Sequence, residues 1–238
     1  MNDRRGTNPI CRSIVAATVL TLLTLLIPAA RPARAQDNEF QVWTPVYLNL
    51  AFNEKLLGWY EVQPRFSNDG VAQLLLRTAV GYRFADKASA WFGYAWTPTL
   101  EPSYRTENRI YQQLLMADDF SFGRLTSRTR LEQRWIGSTS GVAVRFRTLL
   151  RDQIPVSKDG NWRAVVQDEI FANLNSPRGG PVSGFDQNRF FLGVNRLFDE
   201  HLNVDFGYQM QFVNVRGSGV SDQINHILLM QFFFDAAL

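Results

Sequence analysis

The amino-acid sequence predicts an all-β fold, an antiparallel up-and-down transmembrane β-barrel of about 12 strands (10–12) with a polar, Arg-rich lumen and an apolar outer face. Three observations lead to this prediction. Charged side chains recur on one face of the strand-like segments, these segments cover almost the whole chain after residue 35, and the N-terminus has the form of an export signal.

The segment 128–135 has the clearest charged face. Successive side chains of a strand point to opposite sides of the sheet. One side of this segment carries Arg128, Arg130, Glu132 and Arg134, and the other carries Thr129, Leu131, Gln133 and Trp135. In the next segment, Arg145, Arg147 and Arg151 alternate with apolar residues in the same way. Repeated strands of this kind predict a closed barrel that is polar inside and apolar outside.

The inward positions predict a ladder of charges in the lumen. Its members are Arg65, Arg77, Arg109, Arg128, Arg130, Glu132, Arg134, Arg145, Arg147, Arg151, Glu169 and Arg189. Arginine suits a confined polar interior because its planar fork can bridge two acceptors at once. Inward arginines outnumber inward acids, which leaves two interpretations. The ladder either fills and rigidifies a small barrel, or it recognises or conducts anions.

The first 35 residues have the form of a secretory signal peptide. Several arginines precede an apolar run from Ile14 to Ile27, which is too short to span a membrane as a helix. Ala33 and Ala35 form an A-x-A cleavage site, so we expect residues 36–238 to make up a single mature barrel domain. An uncleaved membrane anchor is the alternative.

The positive charge of the chain belongs to this N-terminal segment. The whole chain carries +3, and residues 1–35 hold five arginines against Asp3, a net of +4, which leaves about −1 for the rest. The basic isoelectric point is therefore no evidence for nucleic-acid binding. Cys11, the only cysteine, lies in the same segment, so the mature domain has no thiol, no disulfide and no lipoprotein attachment point.

The alternating segments are longer than the strands of most soluble proteins. Eleven can be placed, roughly at 40–52, 56–67, 72–85, 88–98, 106–118, 123–137, 140–154, 160–174, 184–198, 201–215 and 222–235. Bacterial single-chain barrels have an even number of strands. We therefore expect a twelfth, for which the stretch from Gln36 to a break at Pro45 is a candidate. The longer links at 98–106, 174–184 and 215–222 would then share one end of the barrel.

Two further features concern the outer face. Aromatic residues near the segment ends are expected to form girdles at the membrane interfaces. They are Trp59, Tyr60, Trp135, Trp162, Tyr208 and the run 232–234. Gln112 and Asp168 are polar exceptions that the alternation also places outside.

The sequence offers no catalytic or metal-binding pattern. A serine hydrolase needs a histidine to activate its hydroxyl, and the only histidines are His201, in a predicted turn, and His226 on the last strand. Neither has the setting of a catalytic base, and two histidines without a cysteine do not match zinc-ligand spacing. We therefore expect neither an enzyme nor a cofactor, with a lipid-modifying enzyme as the remote alternative.

Short polar motifs in four segments resemble the family known as domain of unknown function 2490 (DUF2490). The motif residues are Glu107, Asn108, Arg109, Glu132, Gln133, Arg134, Asp168, Glu169, Asn173, Asp186, Gln187, Asn188 and Arg189. The resemblance covers nearly the whole mature chain and implies a secreted, barrel-forming protein of the Gram-negative outer membrane, with no biochemical activity attached. The expected partners are outer-membrane lipid, the barrel-assembly machinery and small anionic solutes, and no nucleic acid. Outer-membrane barrels commonly end on an aromatic residue, whereas here 235–238 follow the phenylalanines.

These features support an uncharacterised outer-membrane β-barrel with a charge-filled lumen, either structural or a narrow anion-preferring channel. A porin for acidic oligosaccharides is an alternative by analogy only. A soluble periplasmic lipid-binding barrel is another, and it would require the apolar faces to point inward.

Overall fold

The computed structural model describes residues 36–137, 139–216 and 221–237. The predicted signal segment, including Ala33 and Ala35, lies outside the described residues. Twelve strands form in these ranges, β1 (Gln36–Trp43), β2 (Val46–Ala51), β3 (Leu56–Ser67), β4 (Gly70–Ala85), β5 (Ala88–Thr99), β6 (Arg105–Phe120), β7 (Gly123–Ile136), β8 (Ala143–Pro155), β9 (Trp162–Asn173), β10 (Gly184–Leu197), β11 (Leu202–Val213) and β12 (Asp222–Ala237). Within the same ranges, no helix is long and apolar enough to cross a membrane.

The twelve strands form one closed sheet. From β2 to β12, each strand pairs antiparallel with the next along the chain. The ring closes because β1 pairs with residues 222–229 of β12 and β2 pairs with residues 232–237, both in parallel. The prediction of an all-β barrel with about twelve strands is confirmed. The antiparallel pattern that we expected throughout is interrupted only at this closure.

Pro45 marks the break between β1 and β2, as the sequence predicts. Proline has no N–H group and cannot donate to a ladder. The neighbouring Thr44 N–H instead donates to the Pro64 carbonyl at 3.3 Å, and the Pro45 carbonyl accepts from the Phe232 N–H at 2.9 Å. Both β1 and β2 therefore lie between β3 and β12, one after the other along the chain. The stretch before Pro45 is the twelfth strand, but it adds no position to the ring, which has eleven.

The alternating strand directions sort the connections between the two ends of the barrel. The links after β3, β5, β7, β9 and β11 lie at the end where β1 begins, and they include the three longer links. The links at the opposite end have two to six residues. In one of them the Asp199 carboxylate accepts hydrogen bonds from the His201 and Leu202 N–H groups, both at 2.8 Å. These bonds hold the pKa of Asp199 below its usual value.

The polarity of the barrel is the reverse of that of a water-soluble protein. Among the described residues, twenty polar or charged side chains are buried, against thirteen apolar ones. Large apolar side chains are exposed on the outside, for example Val80 at 57% and Phe92 at 59%. Gln112 and Asp168, the two polar residues that alternation predicted on the outer face, each form hydrogen bonds with a neighbouring side chain. Gln112 exchanges two hydrogen bonds of 3.1 Å with Gln133, and the Asn188 amide donates to Asp168 at 2.7 Å.

The outward position expected of the girdle aromatics is right for some residues and wrong for others. Tyr60, Trp135, Trp162 and Tyr208 are between 42% and 47% exposed. Trp59 and Phe233 instead face inward, where their rings lie 5.1 and 4.7 Å from that of Tyr47. The period of two explains the error, because Trp59 shares its face with Glu61, which is buried.

Candidate functional site

The structure brings all twelve ladder residues together on the inner wall of the barrel. Eight are buried, namely Arg77, Arg109, Arg130, Glu132, Arg134, Arg145, Arg147 and Glu169. The other four, Arg65, Arg128, Arg151 and Arg189, are half-buried. Strand alternation places them there, and the curvature of the barrel then brings strands that are not neighbours into contact across the interior.

Glu132 is the most heavily paired carboxylate. Its two oxygens lie 2.7 Å from Arg145, 3.2 Å from Arg147 and 3.6 Å from Arg130. Arg145 and Arg147 come from β8, opposite Glu132 in the β7–β8 ladder. Arg147 reaches a second carboxylate, Glu169, at 2.6 Å, and so links two acids in one network.

The remaining inward acids also hold arginines. Glu169 binds Arg128 at 2.9 Å as well as Arg147. Glu107 lies between two arginines, with distances of 2.6 Å to Arg109 and 2.5 Å to Arg134. Further ion pairs join Glu61 to Arg77, Asp205 to Arg151 at 2.8 Å and Asp186 to Arg145 at 3.3 Å.

Two ladder arginines, Arg65 and Arg189, have no carboxylate within ion-pair distance in the described part of the chain, although Arg189 faces Glu169 across the β9–β10 ladder. Arg65 donates to Gln73 at 2.6 Å and to Gln63 at 3.2 Å, and its Nε has no partner. Arg189 forms no hydrogen bond with another described residue, and its buried Nε is also without a partner. Both guanidiniums lie against the ring of Trp43, at 3.8 Å for Arg65 and 5.0 Å for Arg189.

Three interior aromatic rings pack against arginines of the ladder, and the sequence analysis did not predict these contacts. The Trp43 ring contacts Arg65 and Arg189, as described above. The Tyr111 ring lies 4.2 Å from Arg130, and the Phe171 ring lies 4.5 Å from Arg147. A guanidinium over an aromatic face gains cation–π attraction and keeps a fixed orientation. The sequence could have indicated these rings, because each lies an even number of residues from an inward charged residue on the same strand and so shares its face.

The family-like motifs divide between the two faces. The inward members are Glu107, Arg109, Glu132, Arg134, Glu169, Asn173, Gln187 and Arg189, and the outward members are Asn108, Gln133, Asp168 and Asn188. Asp186 lies beside a register shift in the β9–β10 ladder, between Phe185 and Gln187. Its side chain turns inward to Arg145 and accepts a hydrogen bond of 3.0 Å from Asn173.

A cavity of about 510 Å³ lies inside the barrel. Nine arginines and four carboxylates line it, an excess of five positive charges. The charged lining residues are Arg65, Arg77, Arg109, Arg128, Arg134, Arg145, Arg147, Arg151, Arg189, Glu61, Glu107, Glu169 and Asp186. Glu132 and Asp205 lie behind the lining and pair with three of these arginines.

The two histidines lie in different parts of the described structure, His201 in the turn before β11 and His226 on β12. The Tyr208 hydroxyl lies 2.6 Å from a His226 ring nitrogen, and the His201 ring contacts Glu200 at 3.5 Å. Across residues 36–137, 139–216 and 221–237, no three histidine, cysteine, aspartate or glutamate side chains are placed to hold a metal ion.

Comparison with known proteins agrees with the polar motifs. The family model described as "Protein of unknown function (DUF2490)" matches residues 40–222. The chain belongs to this family. An uncharacterized protein of Methylorubrum extorquens is 32% identical to this DUF2490 chain over 222 residues, which is 90% of this chain and 96% of the relative. No solved structure matches significantly.

Proposed function

We propose that this DUF2490 protein is an outer-membrane β-barrel that crosses the lipid with its strands and whose arginine-rich interior forms a narrow, anion-preferring passage. The observation that carries the proposal is the reversed polarity of the closed barrel. Exposed side chains such as Leu192, at 54%, would be costly in water, whereas buried arginines inside the ring avoid contact with lipid. A lipid-binding barrel in water would need the opposite arrangement.

The charge of the cavity supports the preference for anions. Rings of arginine select anions in pores, and nine arginines face the cavity against four carboxylates. The extensive ion pairing favours a second candidate function. If Glu107, Glu132 and Glu169 hold their arginines firmly across the interior, the network fills the barrel and makes it a structural protein of the outer membrane.

Cell fractionation tests the location. We expect the mature chain in the outer-membrane fraction, soluble only with detergent, and N-terminal sequencing of that material should begin near Gln36. Recovery of the folded chain in the periplasmic fraction without detergent would contradict the proposal.

Reversal potentials across a planar bilayer under a salt gradient test the passage. We expect anion selectivity that weakens as salt rises, since the screening length falls from about 10 Å at 0.1 M to about 3 Å at 1 M. Arg128→Gln should lower the selectivity because Arg128 lines the cavity. Arg124→Gln is the matched control, because Arg124 lies outside that lining and its side chain is 48% exposed. Cation selectivity would contradict the passage, and absence of conductance would favour the structural role.

A further inference from the structure

We propose that Arg65, Arg189 and Trp43 form a binding site for a small oxyanion with two or more negative charges, a phosphate or a di- or tricarboxylate. The site lies in the cavity between the first strand, β3 and β10. This inference deepens the proposed function and rests on its anion-preferring interior, but it does not depend on where the barrel resides in the cell.

The first argument is the distribution of charge. Each carboxylate that lines the cavity is within ion-pair distance of arginines other than Arg65 and Arg189. These two guanidiniums are therefore the lining arginines without a carboxylate within ion-pair distance in the described interior, although Glu169 faces Arg189 across the β9–β10 ladder. Holding unpaired charge away from water is expensive. An oxyanion that contacts both guanidiniums would neutralise them while leaving the existing ion pairs in place.

The second argument is the set of unused hydrogen-bond donors. Buried donors in folded proteins are nearly always paired, yet the Nε of Arg65 and the Nε of Arg189 are both buried without an acceptor. Single donors of the ion-paired Arg77, Arg128 and Arg130 are also buried without an acceptor. Guanidinium groups bind carboxylate and phosphate oxygens through two parallel N–H donors. Oxyanion oxygens are therefore the acceptors that these groups lack.

The third argument is preorganisation. Arg65 is fixed by two glutamine side chains, Gln63 and Gln73, and by stacking at 3.8 Å from the Trp43 ring. Arg189 is held between two rings, 5.0 Å from Trp43 and 4.8 Å from Phe171. Side chains that are already ordered lose little entropy when a ligand binds. The cavity of about 510 Å³ is also within the range of small-ligand pockets.

Isothermal titration of the purified full barrel in detergent tests the site, with inorganic phosphate and citrate as separate probes at constant ionic strength. Acetate, with a single charge, is the control ligand. We expect saturable binding of phosphate, citrate or both, at least tenfold tighter than acetate. Binding of phosphate alone assigns the site to phosphate groups, and binding of citrate alone assigns it to polycarboxylates. No saturable binding of either probe would overturn the inference.

Three substitutions locate the binding. Arg65→Gln and Arg189→Gln should each weaken it at least tenfold, and neither breaks an ion pair. Arg124→Gln, which removes a half-exposed arginine outside the cavity lining, should leave binding unchanged. Equal losses in all three would show nonspecific attraction and overturn the site.

Thermal unfolding with and without the bound probe gives a second readout. A ligand that binds only the folded state raises its melting temperature, so the probe should stabilise the wild type and the Arg124→Gln variant but not Arg189→Gln. Both measurements use detergent, so they are independent of location and conductance. An anion-selective pore without this binding would overturn this inference alone, while binding by a barrel that is not selective would overturn only the passage.

Discussion

Glu132 shows how single residues hold the interior together. Its side chain is 1% exposed and faces three arginines on two strands. Burying a carboxylate this completely carries a large desolvation cost, which the surrounding guanidiniums offset by neutralising its charge. The carboxylate offsets the cost of burying the guanidiniums in the same way. The same reciprocity ties Glu169 to Arg128 and Arg147. The interior ion pairs are therefore a unit whose members depend on one another.

Glu132→Gln should destabilise the barrel strongly. The amide keeps the shape of the side chain but leaves Arg130, Arg145 and Arg147 facing one another without their shared negative charge. Breaking a buried ion pair by removing one partner costs about 3–5 kcal/mol. Urea unfolding in lipid vesicles would measure the change. Glu200→Gln, at a turn residue whose side chain is 86% exposed, is the matched control and should have no measurable effect. A similar stability for both variants would show that the network contributes nothing.

At the scale of the strand, the period of two determines which side chains face outward and which face the interior. The sequence predicted this division for most strands, because alternation needs only local information. It did not predict the ion pairs between strands that are not neighbours. The pairs Arg128–Glu169 and Arg151–Asp205 join strands that are not neighbours, so they depend on the curvature of the ring. Trp59 was expected to face outward because it lies near a turn. Its distance of two residues from the inward Glu61 instead predicts an inward side chain.

Arginine substitutions on opposite faces of β7 should have unequal effects. Leu131 is exposed on the outer face, whereas Thr126 lines the interior cavity. If the outer face contacts lipid, Leu131→Arg should cost about 2–4 kcal/mol near the middle of the bilayer. Thr126→Arg should cost much less, because the new charge enters a polar cavity. Denaturant titrations in vesicles would compare the two variants, and equal costs would mean that the outer face does not contact lipid.

The hairpin of β10 and β11 depends on a pair of glycines that face each other, Gly193 and Gly207. A Cβ added at Gly193 would lie 2.5 Å from the Phe206 carbonyl oxygen and 2.6 Å from the Phe191 ring, which is fully buried. Gly193→Ala should therefore destabilise the barrel by about 1–3 kcal/mol, the usual cost of overpacking. Gly137→Ala is the control, since its nearest neighbour atom would be 3.4 Å away. Heat-induced unfolding followed by gel mobility would compare them, and equal midpoints would contradict the close packing.

At the scale of the whole molecule, closure determines the architecture. Strand directions alternate around the ring, so with eleven positions the first and last strands must run the same way. The parallel contacts of β1 and β2 with β12 are the consequence. The sequence indicated an odd number of segments and a break at Pro45, but the even-number habit of bacterial barrels led us to expect a twelfth position. Local sequence patterns contain no information on how the two ends of a chain meet. A mitochondrial channel that is a barrel with an odd number of strands shows that closure by parallel strands is stable.

Engineered cysteines can test the closure directly. Val42 on β1 is paired with Leu228 on β12, and the only native cysteine, Cys11, precedes the described strands. Adjacent strands lie about 4.8 Å apart, within the range of Cα separations that a disulfide can bridge. The double variant Val42→Cys, Leu228→Cys should therefore form a disulfide under oxidising conditions. Because the link would close most of the mature chain into a loop, the denatured protein should change its gel mobility when reduced.

The matched control for this disulfide is Val42→Cys with Phe232→Cys. Phe232 is paired with Val46 rather than with Val42, and it lies four residues farther along β12, about 13 Å away by the rise of a strand. That distance is too long for a disulfide, so the control should not link. Linking in the first pair alone would show that Val42 lies beside Leu228, as the register described here requires. If neither pair links, or if both link equally, β1 is not fixed beside β12 in this register.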